Sequence, residues 1–129
     1  MFGKKMEKLK SFLGAESEFK GELTARGILR IDGQFTGKVQ ADQVILSETA
    51  AIKGDIFAKR IVISGMVEGT LQAPDCVEIM PKGKVKGEII TNKLLVVEGG
   101  VFNGQIDMNT NEPNVLEFES KNQEISLKR

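Results

Sequence analysis

The sequence predicts an all-β chain folded as a right-handed parallel β-helix, a solenoid of about six circuits with short N- and C-terminal tails. The main observation is that glycine recurs along the chain with an aliphatic residue two positions later. The six pairs are Gly21/Leu23, Gly37/Val39, Gly54/Ile56, Gly69/Leu71, Gly87/Ile89 and Gly104/Ile106. Successive glycines are 16, 17, 15, 18 and 17 residues apart, a period that suits one solenoid circuit and is too short for a helix-turn-helix repeat.

The segments around these glycines alternate between apolar and polar residues. From Ile31 to Ala41, and again from Ile63 to Ala73, every second residue is aliphatic, aromatic, glycine or alanine. Such alternation predicts strands with one apolar face, whereas glycine at this density would cost a helix about 1 kcal/mol per site. Circuits stacked about 4.8 Å apart would pair the backbone of each strand with its neighbours and bury the apolar side chains in one column.

The variable circuit length favours the right-handed form of solenoid. Left-handed hexapeptide helices keep a fixed six-residue repeat, whereas the circuits here range from 15 to 18 residues. Glycine is needed because a short circuit must bend sharply to return above its start, and glycine reaches backbone angles that other residues avoid. We therefore expect residues 17–108 to form the solenoid, with an N-terminal segment at 1–16 and a tail at 109–129.

Composition excludes several classes of function. Lysine plus arginine equals aspartate plus glutamate at 18 each, so no overall field attracts nucleic acid, and no nucleic-acid partner is expected. The single cysteine, Cys76, allows no intrachain disulfide and is expected to pack as a small half-buried hydrophobe. The chain has no apolar run long enough to span a membrane and no signal-peptide core, which predicts a cytoplasmic protein.

No enzymatic site, metal or cofactor is expected. The chain lacks histidine, so it has no Ser-His or Cys-His nucleophile and no conventional zinc site. The segment from Gly33 to Lys38 is one residue short of a phosphate loop, and Val39 stands where a hydroxyl should bind magnesium. The carboxylates that might otherwise pair for glycoside chemistry fall in turns or on outward positions, as for Asp42, Asp55 and Asp75.

The first 14 residues break the repeat pattern and predict a short basic amphipathic helix that binds an anionic membrane surface. Its apolar side would contain Phe2, Met6, Leu9, Phe12 and Leu13, and its basic side Lys4, Lys5, Lys8 and Lys10. Such a helix suits the headgroup region of a bilayer, where each lysine contributes about 1 kcal/mol. Two other interpretations remain open, a helix that caps the end of the core and a disordered tail.

The C-terminal tail contains a last apolar group. Pro113 interrupts the repeat, and Val115, Leu116 and Phe118 follow before a polar run. We expect segment 115–118 to be a strand fragment that covers the final circuit, with a contact between subunits as the alternative.

Taken together, these features resemble the bactofilin family over residues 1–118. The resemblance depends on the segments Gly37–Ala41 and Gly54–Ala58, each followed three residues later by Val44 or Ile61, and on the basic N-terminal segment and polar tail. It implies a cytoskeletal scaffold that polymerises without nucleotide into filaments without polarity. It also implies attachment to the cytoplasmic face of the inner membrane through the N-terminal segment, and client proteins such as envelope or cell-wall enzymes.

Elementary physics leads to polymerisation by a separate route. An uncapped solenoid shows unpaired strand edges that act as templates for another copy. If like ends meet, each contact is two-fold and the filament has no polarity. The apolar side chains of the terminal circuits are the expected contacts, namely Phe19 and Leu23 at one end and Phe102, Ile106 and Phe118 at the other.

Two other classes of function are compatible with a solenoid. A catalytic solenoid of the acyltransferase or carbohydrate-active type would need a recessed cluster of ionisable groups, and the missing histidines argue against it. A monomeric ligand- or ice-binding solenoid would need one residue type repeated in register on an outer face. The threonines are not in register, which disfavours that alternative.

Overall fold

The computed structural model describes residues 9–108, 115–117 and 126–128, and these residues form fourteen strands and no helix. The strands alternate along the chain between two parallel sheets of seven strands each. The short-strand sheet contains β1 (Leu9–Leu13), β3 (Ile28–Ile31), β5 (Gln43–Leu46), β7 (Arg60–Ile63), β9 (Cys76–Ile79), β11 (Leu94–Val96) and β13 (Val115–Glu117). The long-strand sheet contains β2 (Glu18–Thr24), β4 (Gln34–Gln40), β6 (Ala51–Phe57), β8 (Met66–Ala73), β10 (Lys84–Thr91), β12 (Val101–Met108) and β14 (Ser126–Lys128).

Each circuit of the chain contributes one strand to each sheet, and every strand pairs in parallel with the equivalent strand of the next circuit. This confirms the prediction of a parallel β-solenoid. The predicted count of about six circuits is close to the observed one, because six long strands from β2 to β12 carry the glycine repeat. Strand pairing nevertheless extends beyond residues 17–108, since β1 pairs with β3, β13 with β11 and β14 with β12.

The core is a single column of aliphatic side chains between the two sheets. Alternation places every second residue of a strand inward, as in β4, where Phe35 and Val39 are buried between exposed polar neighbours. Most inward residues are fully buried, including Leu29, Ile31, Val44, Leu46, Ile56, Ile61, Ile63, Leu71, Val77, Ile79, Ile89, Leu94 and Val96. Because each inward side chain lies directly above its equivalent in the preceding circuit, the column is continuous along the axis.

The six predicted glycines stand one above another at the centre of the long strands and form what we call the glycine ladder: Gly21, Gly37, Gly54, Gly69, Gly87 and Gly104. All six have φ between 132° and 151°, a conformation that bends the strand and that other residues rarely adopt. For the last five, an added Cβ would lie only 1.8–2.0 Å from the carbonyl oxygen of the glycine in the preceding circuit. Both the backbone angle and the close stacking therefore require glycine.

The prediction of an N-terminal amphipathic helix is wrong for residues 9–13. These residues form β1, which pairs in parallel with β3. The physical reason is that the edge of β3 offers a row of backbone donors and acceptors, and a strand there satisfies both partners. An isolated helix of about 14 residues is only marginally stable in water, so the edge competes successfully for the segment.

Candidate assembly interface

The N-terminal end of the solenoid presents the free edge of β2. Among the residues that the structure describes, β2 pairs with β4 on one side only, and it is the last strand of the long-strand sheet. Its seven residues therefore turn one row of backbone N–H and C=O groups away from the stack. A row of this kind is a template for pairing with another strand.

Two side chains at this edge belong to the core but are incompletely covered. Phe19 and Leu23 are half-buried, whereas Phe35 and Val39, which occupy the same positions one circuit later, are 1% and 0% exposed. The ring of Phe19 stacks on that of Phe35, with centroids 5.1 Å apart and planes 10° from parallel. Both side chains thus continue the core column to its end, where no described circuit covers their second side.

The glycine ladder also ends at this edge. Gly21 has the same bent backbone as the other five glycines, with φ at 133°. An added Cβ at Gly21 would meet only the ring of Phe19, at 3.7 Å, because the described structure has no glycine carbonyl beneath it. Within the described part of the chain, the site below Gly21 therefore has room for another backbone.

At the opposite end, the structure places two of the predicted contact residues inside the chain. Phe102 and Ile106 lie on β12 and are both 0% exposed. Pairing of β14 with Gln105–Asp107 covers this part of β12. For Ile106 to reach a second copy directly, β14 would have to leave β12. Because Phe102 is as fully buried as Ile106, we assign both residues to the core. Phe118, the third predicted contact, lies outside the described residues.

The predicted membrane-binding residues are divided by the structure. Leu9, Lys10, Phe12 and Leu13 belong to β1, while Phe2, Lys4, Lys5, Met6 and Lys8 lie outside the described residues. Because β1 pairs with β3, residues 9–13 lie at the N-terminal end of the solenoid, the end that also carries the free edge of β2. A search of the described part of the chain finds no helix with the length and apolarity needed to cross a bilayer.

The sides of the solenoid carry isolated polar pairs. Arg30 donates a 2.8 Å hydrogen bond to Asp32 and lowers the pKa of that carboxyl. Arg60 pairs with Glu78 at 2.5 Å, and the neighbouring Cys76 is half-buried, so that burial first and the Glu78 charge second raise the pKa of its thiol. Within the described ranges, no three His, Cys, Asp or Glu side chains are grouped so that they would hold a metal ion.

The β1 edge and the open site below Gly21 were missed by sequence reasoning. A signal for β1 existed, because Leu13 precedes its partner Ile31 by 18 residues, a spacing that also occurs between ladder glycines. The helical spacing of Phe2, Met6, Leu9 and Leu13 concealed it. The sequence pattern does not indicate the open site, because the site arises where no described circuit lies beneath a ladder glycine.

Comparisons with known proteins point to one family. The family model described as "Bactofilin: Polymer-forming cytoskeletal" matches residues 11–107. Bactofilin BacP of Myxococcus xanthus strain DK1622 is 28% identical over 108 residues, which make up 83% of this chain and 45% of that protein. Bactofilin BacO of the same strain is 29% identical over 101 residues, or 78% of this chain and 80% of that protein. The chain thus spans less than half of BacP. No solved structure matches it significantly.

Proposed function

The chain belongs to the bactofilin family, whose members are polymer-forming cytoskeletal proteins rather than enzymes, and we propose that it assembles end to end into filaments without a nucleotide. The observation that supports this most directly is the edge of β2, with its outward row of backbone groups and the half-buried Phe19 and Leu23. Association through this edge would bury the apolar side chains and pair the backbone in one step.

The filaments are proposed to lack polarity. When two N-terminal ends meet, the same surface is used on both copies, and the C-terminal ends remain available for a second kind of contact. Alternation of the two contacts produces an open filament whose two directions are equivalent. At the C-terminal end we assign the contact to the edges of β13 and β14 and to Phe118, since Phe102 and Ile106 are enclosed within the chain.

Electron microscopy of the purified full chain tests the proposal. Filaments should form in a buffer with a chelator and without ATP or GTP, and fibre diffraction should show a spacing near ~4.8 Å along the axis because the strands lie across it. A chain that stays monomeric at about 100 μM, a concentration at which any contact stronger than about 5.5 kcal/mol would be largely formed, would refute the proposal. Filaments that require nucleotide would refute it as well.

Membrane attachment is the second part of the proposal. Residues 1–8 contain Lys4, Lys5 and Lys8 beside Phe2 and Met6, and they are joined directly to β1. At about 1 kcal/mol per lysine, a single copy binds an anionic bilayer weakly. A filament presents many copies of the segment, so that multivalency strengthens the attachment. We propose that the filament lies on the cytoplasmic face of the inner membrane in this way.

A scaffold role for client proteins completes the proposal. Envelope or cell-wall enzymes are the proposed clients, held at the membrane by a filament with many equivalent binding positions. The test compares cells that express the wild-type chain with cells that express a folded variant unable to polymerise. An enzyme that loses its localised pattern only in the variant supports the role, and unchanged localisation of every envelope enzyme examined contradicts it.

A further inference from the structure

The residues on the exposed edge of β2 are complementary to those of a second β2 strand that runs in the opposite direction. Lys20 and Glu22 are exposed on either side of Gly21, and Phe19 and Leu23 point inward one position further out. If a second copy of β2 runs antiparallel, with Gly21 opposite Gly21, then each Lys20 faces a Glu22. Each Phe19 likewise faces a Leu23. Opposite charges and apolar groups that face each other across strands stabilise the pairing of the strands.

We propose that two copies join at their N-terminal ends by antiparallel pairing of their β2 strands about a two-fold axis at Gly21. The inference rests on the proposed end-to-end assembly and identifies the residues of one of its two contacts. A two-fold contact uses the same patch on both copies, which is the condition that Lys20, Gly21 and Glu22 meet.

The bend in β2 fixes where the axis passes. Gly21, with φ at 133°, lies at the centre of the seven-residue strand. A bent strand superposes on its reversed copy only when the bend coincides with the axis, which places Gly21 opposite Gly21. Rotation about this axis exchanges the two halves of the strand and keeps inward side chains inward, so Phe19 and Leu23 of both copies join one core.

The open site below Gly21 makes this approach sterically possible. At every other ladder glycine, a carbonyl oxygen of the preceding circuit lies 1.8–2.0 Å from the position that a Cβ would take. At Gly21, the Phe19 ring is the only group among the described residues within 4 Å of that position. The partner's backbone would therefore occupy the position that a preceding circuit occupies elsewhere. Head-to-tail stacking on β14 is less favourable, because β14 as described spans three residues against seven in β2.

Charge reversal and mixing test the inference. Lys20→Glu places four acidic groups around the axis, and Glu22→Lys places four basic ones. Each variant alone should raise the critical concentration for assembly about tenfold at low ionic strength, because two attractive pairs become repulsive. An equimolar mixture of the two should return to within about twofold of wild type, because opposite charges again face each other. Repulsion within one chain, such as that between a lysine at position 22 and Lys38, is not relieved by mixing.

Matched controls come from β6, which contains the same arrangement in Lys53, Gly54 and Asp55 but pairs with strands on both sides. Lys53→Glu and Asp55→Lys should leave the critical concentration unchanged, alone or mixed. If the wild-type chain assembles but the critical concentration of the mixed β2 variants stays high, the inference is overturned while end-to-end assembly stands. Head-to-tail stacking of the subunits would give this result. The inference is also overturned if each single variant assembles like wild type. That result is expected if residues 1–8 of the same chain pair with the edge of β2. A wild-type chain that does not assemble refutes the proposed function itself.

Discussion

A Cβ added to Gly54 would lie 1.9 Å from the carbonyl oxygen of Gly37 in the preceding circuit. The two glycines are paired in register between β6 and β4. The same contact recurs up to Gly104, so the close spacing of the backbone along this line depends on the absence of a side chain at every level above the first.

Substitution along the glycine ladder should separate steric from conformational effects. Both Gly54→Ala and Gly21→Ala force alanine into a positive φ, at a cost of about 1–3 kcal/mol. Gly54→Ala adds a clash with backbone, whereas the Cβ at Gly21 meets only the Phe19 ring. We expect Gly54→Ala to lower the free energy of unfolding by at least about 2 kcal/mol more than Gly21→Ala. Denaturant unfolding of the monomeric fraction measures this difference, and equal losses would contradict it.

Phenylalanines at the two ends should respond differently to a charge. Phe102→Arg buries a cation without a partner in the core, which should lower the free energy of unfolding by about 3–5 kcal/mol, a large share of the stability of a small domain. Phe19→Arg alters a half-buried side chain at an open edge, so the chain should fold and lose its N-terminal contact. Circular dichroism and sedimentation distinguish the two results. Folded Phe102→Arg protein that stops at dimers would instead restore Phe102 as a contact residue.

Lysines of the N-terminal segment should control binding to liposomes. Replacing Lys4, Lys5 and Lys8 together by glutamine removes up to about 3 kcal/mol of attraction per copy to anionic lipid. Co-sedimentation with anionic liposomes should fall accordingly, while filaments still form.

The matched control for that experiment is the replacement by glutamine of Lys53, Lys84 and Lys86, three exposed lysines on the side of the solenoid. The two triple variants have the same net charge. If both lose binding equally, attraction depends on total charge, and the proposed role of the N-terminal segment is wrong.

The thiol of Cys76 should react slowly. Burial, followed by the Glu78 charge, raises its pKa above the ordinary value of 9.0. Because the thiolate is the reactive form, alkylation of the folded chain should reach its half-maximal rate at a higher pH than alkylation of the unfolded chain. The shift favours the protonated folded state, so its contribution to stability is complete below about pH 9 and is lost as the pH rises further. Equal pH profiles for folded and unfolded chain would contradict the prediction.

The sequence predicted correctly the positions of residues whose surroundings are the same in every circuit. Gly37 and its equivalents, and inward residues such as Phe35 and Val39, recur in every circuit, so a single pattern determines all their positions. The ends were harder to predict, because each has only one neighbouring circuit. Leu9 and Leu13 satisfy both a helical and a strand spacing, and the choice depends on the edge of β3.

The predicted contact residues at the two ends differ in burial. Phe19 and Phe102 both stand two residues before a ladder glycine, and the sequence does not distinguish them. Within the described residues, β2 has a free side and Phe19 is half-buried, whereas β12 pairs with β14 over Gln105–Asp107 and Phe102 is fully buried. The strand that pairs with β12 comes from residues after Pro113, whose pattern is unlike that of the circuits.

The register of the glycine ladder also determines which changes in chain length the fold can absorb. Deleting residues 38–54 joins Gly37 to Asp55 and recreates the Gly-Asp-Ile sequence of β6, so that one whole circuit is lost and the joined strand can pair with β2 and β8 in the same glycine register. The rod becomes about 4.8 Å shorter with both ends unchanged. A deletion of a single residue instead shifts the register of one strand by one residue. Because side chains alternate between the two faces of a strand, the apolar side chains of that strand then face solvent. Duplication or loss of whole circuits can therefore change the length of such a solenoid while leaving the residues at both of its ends unchanged.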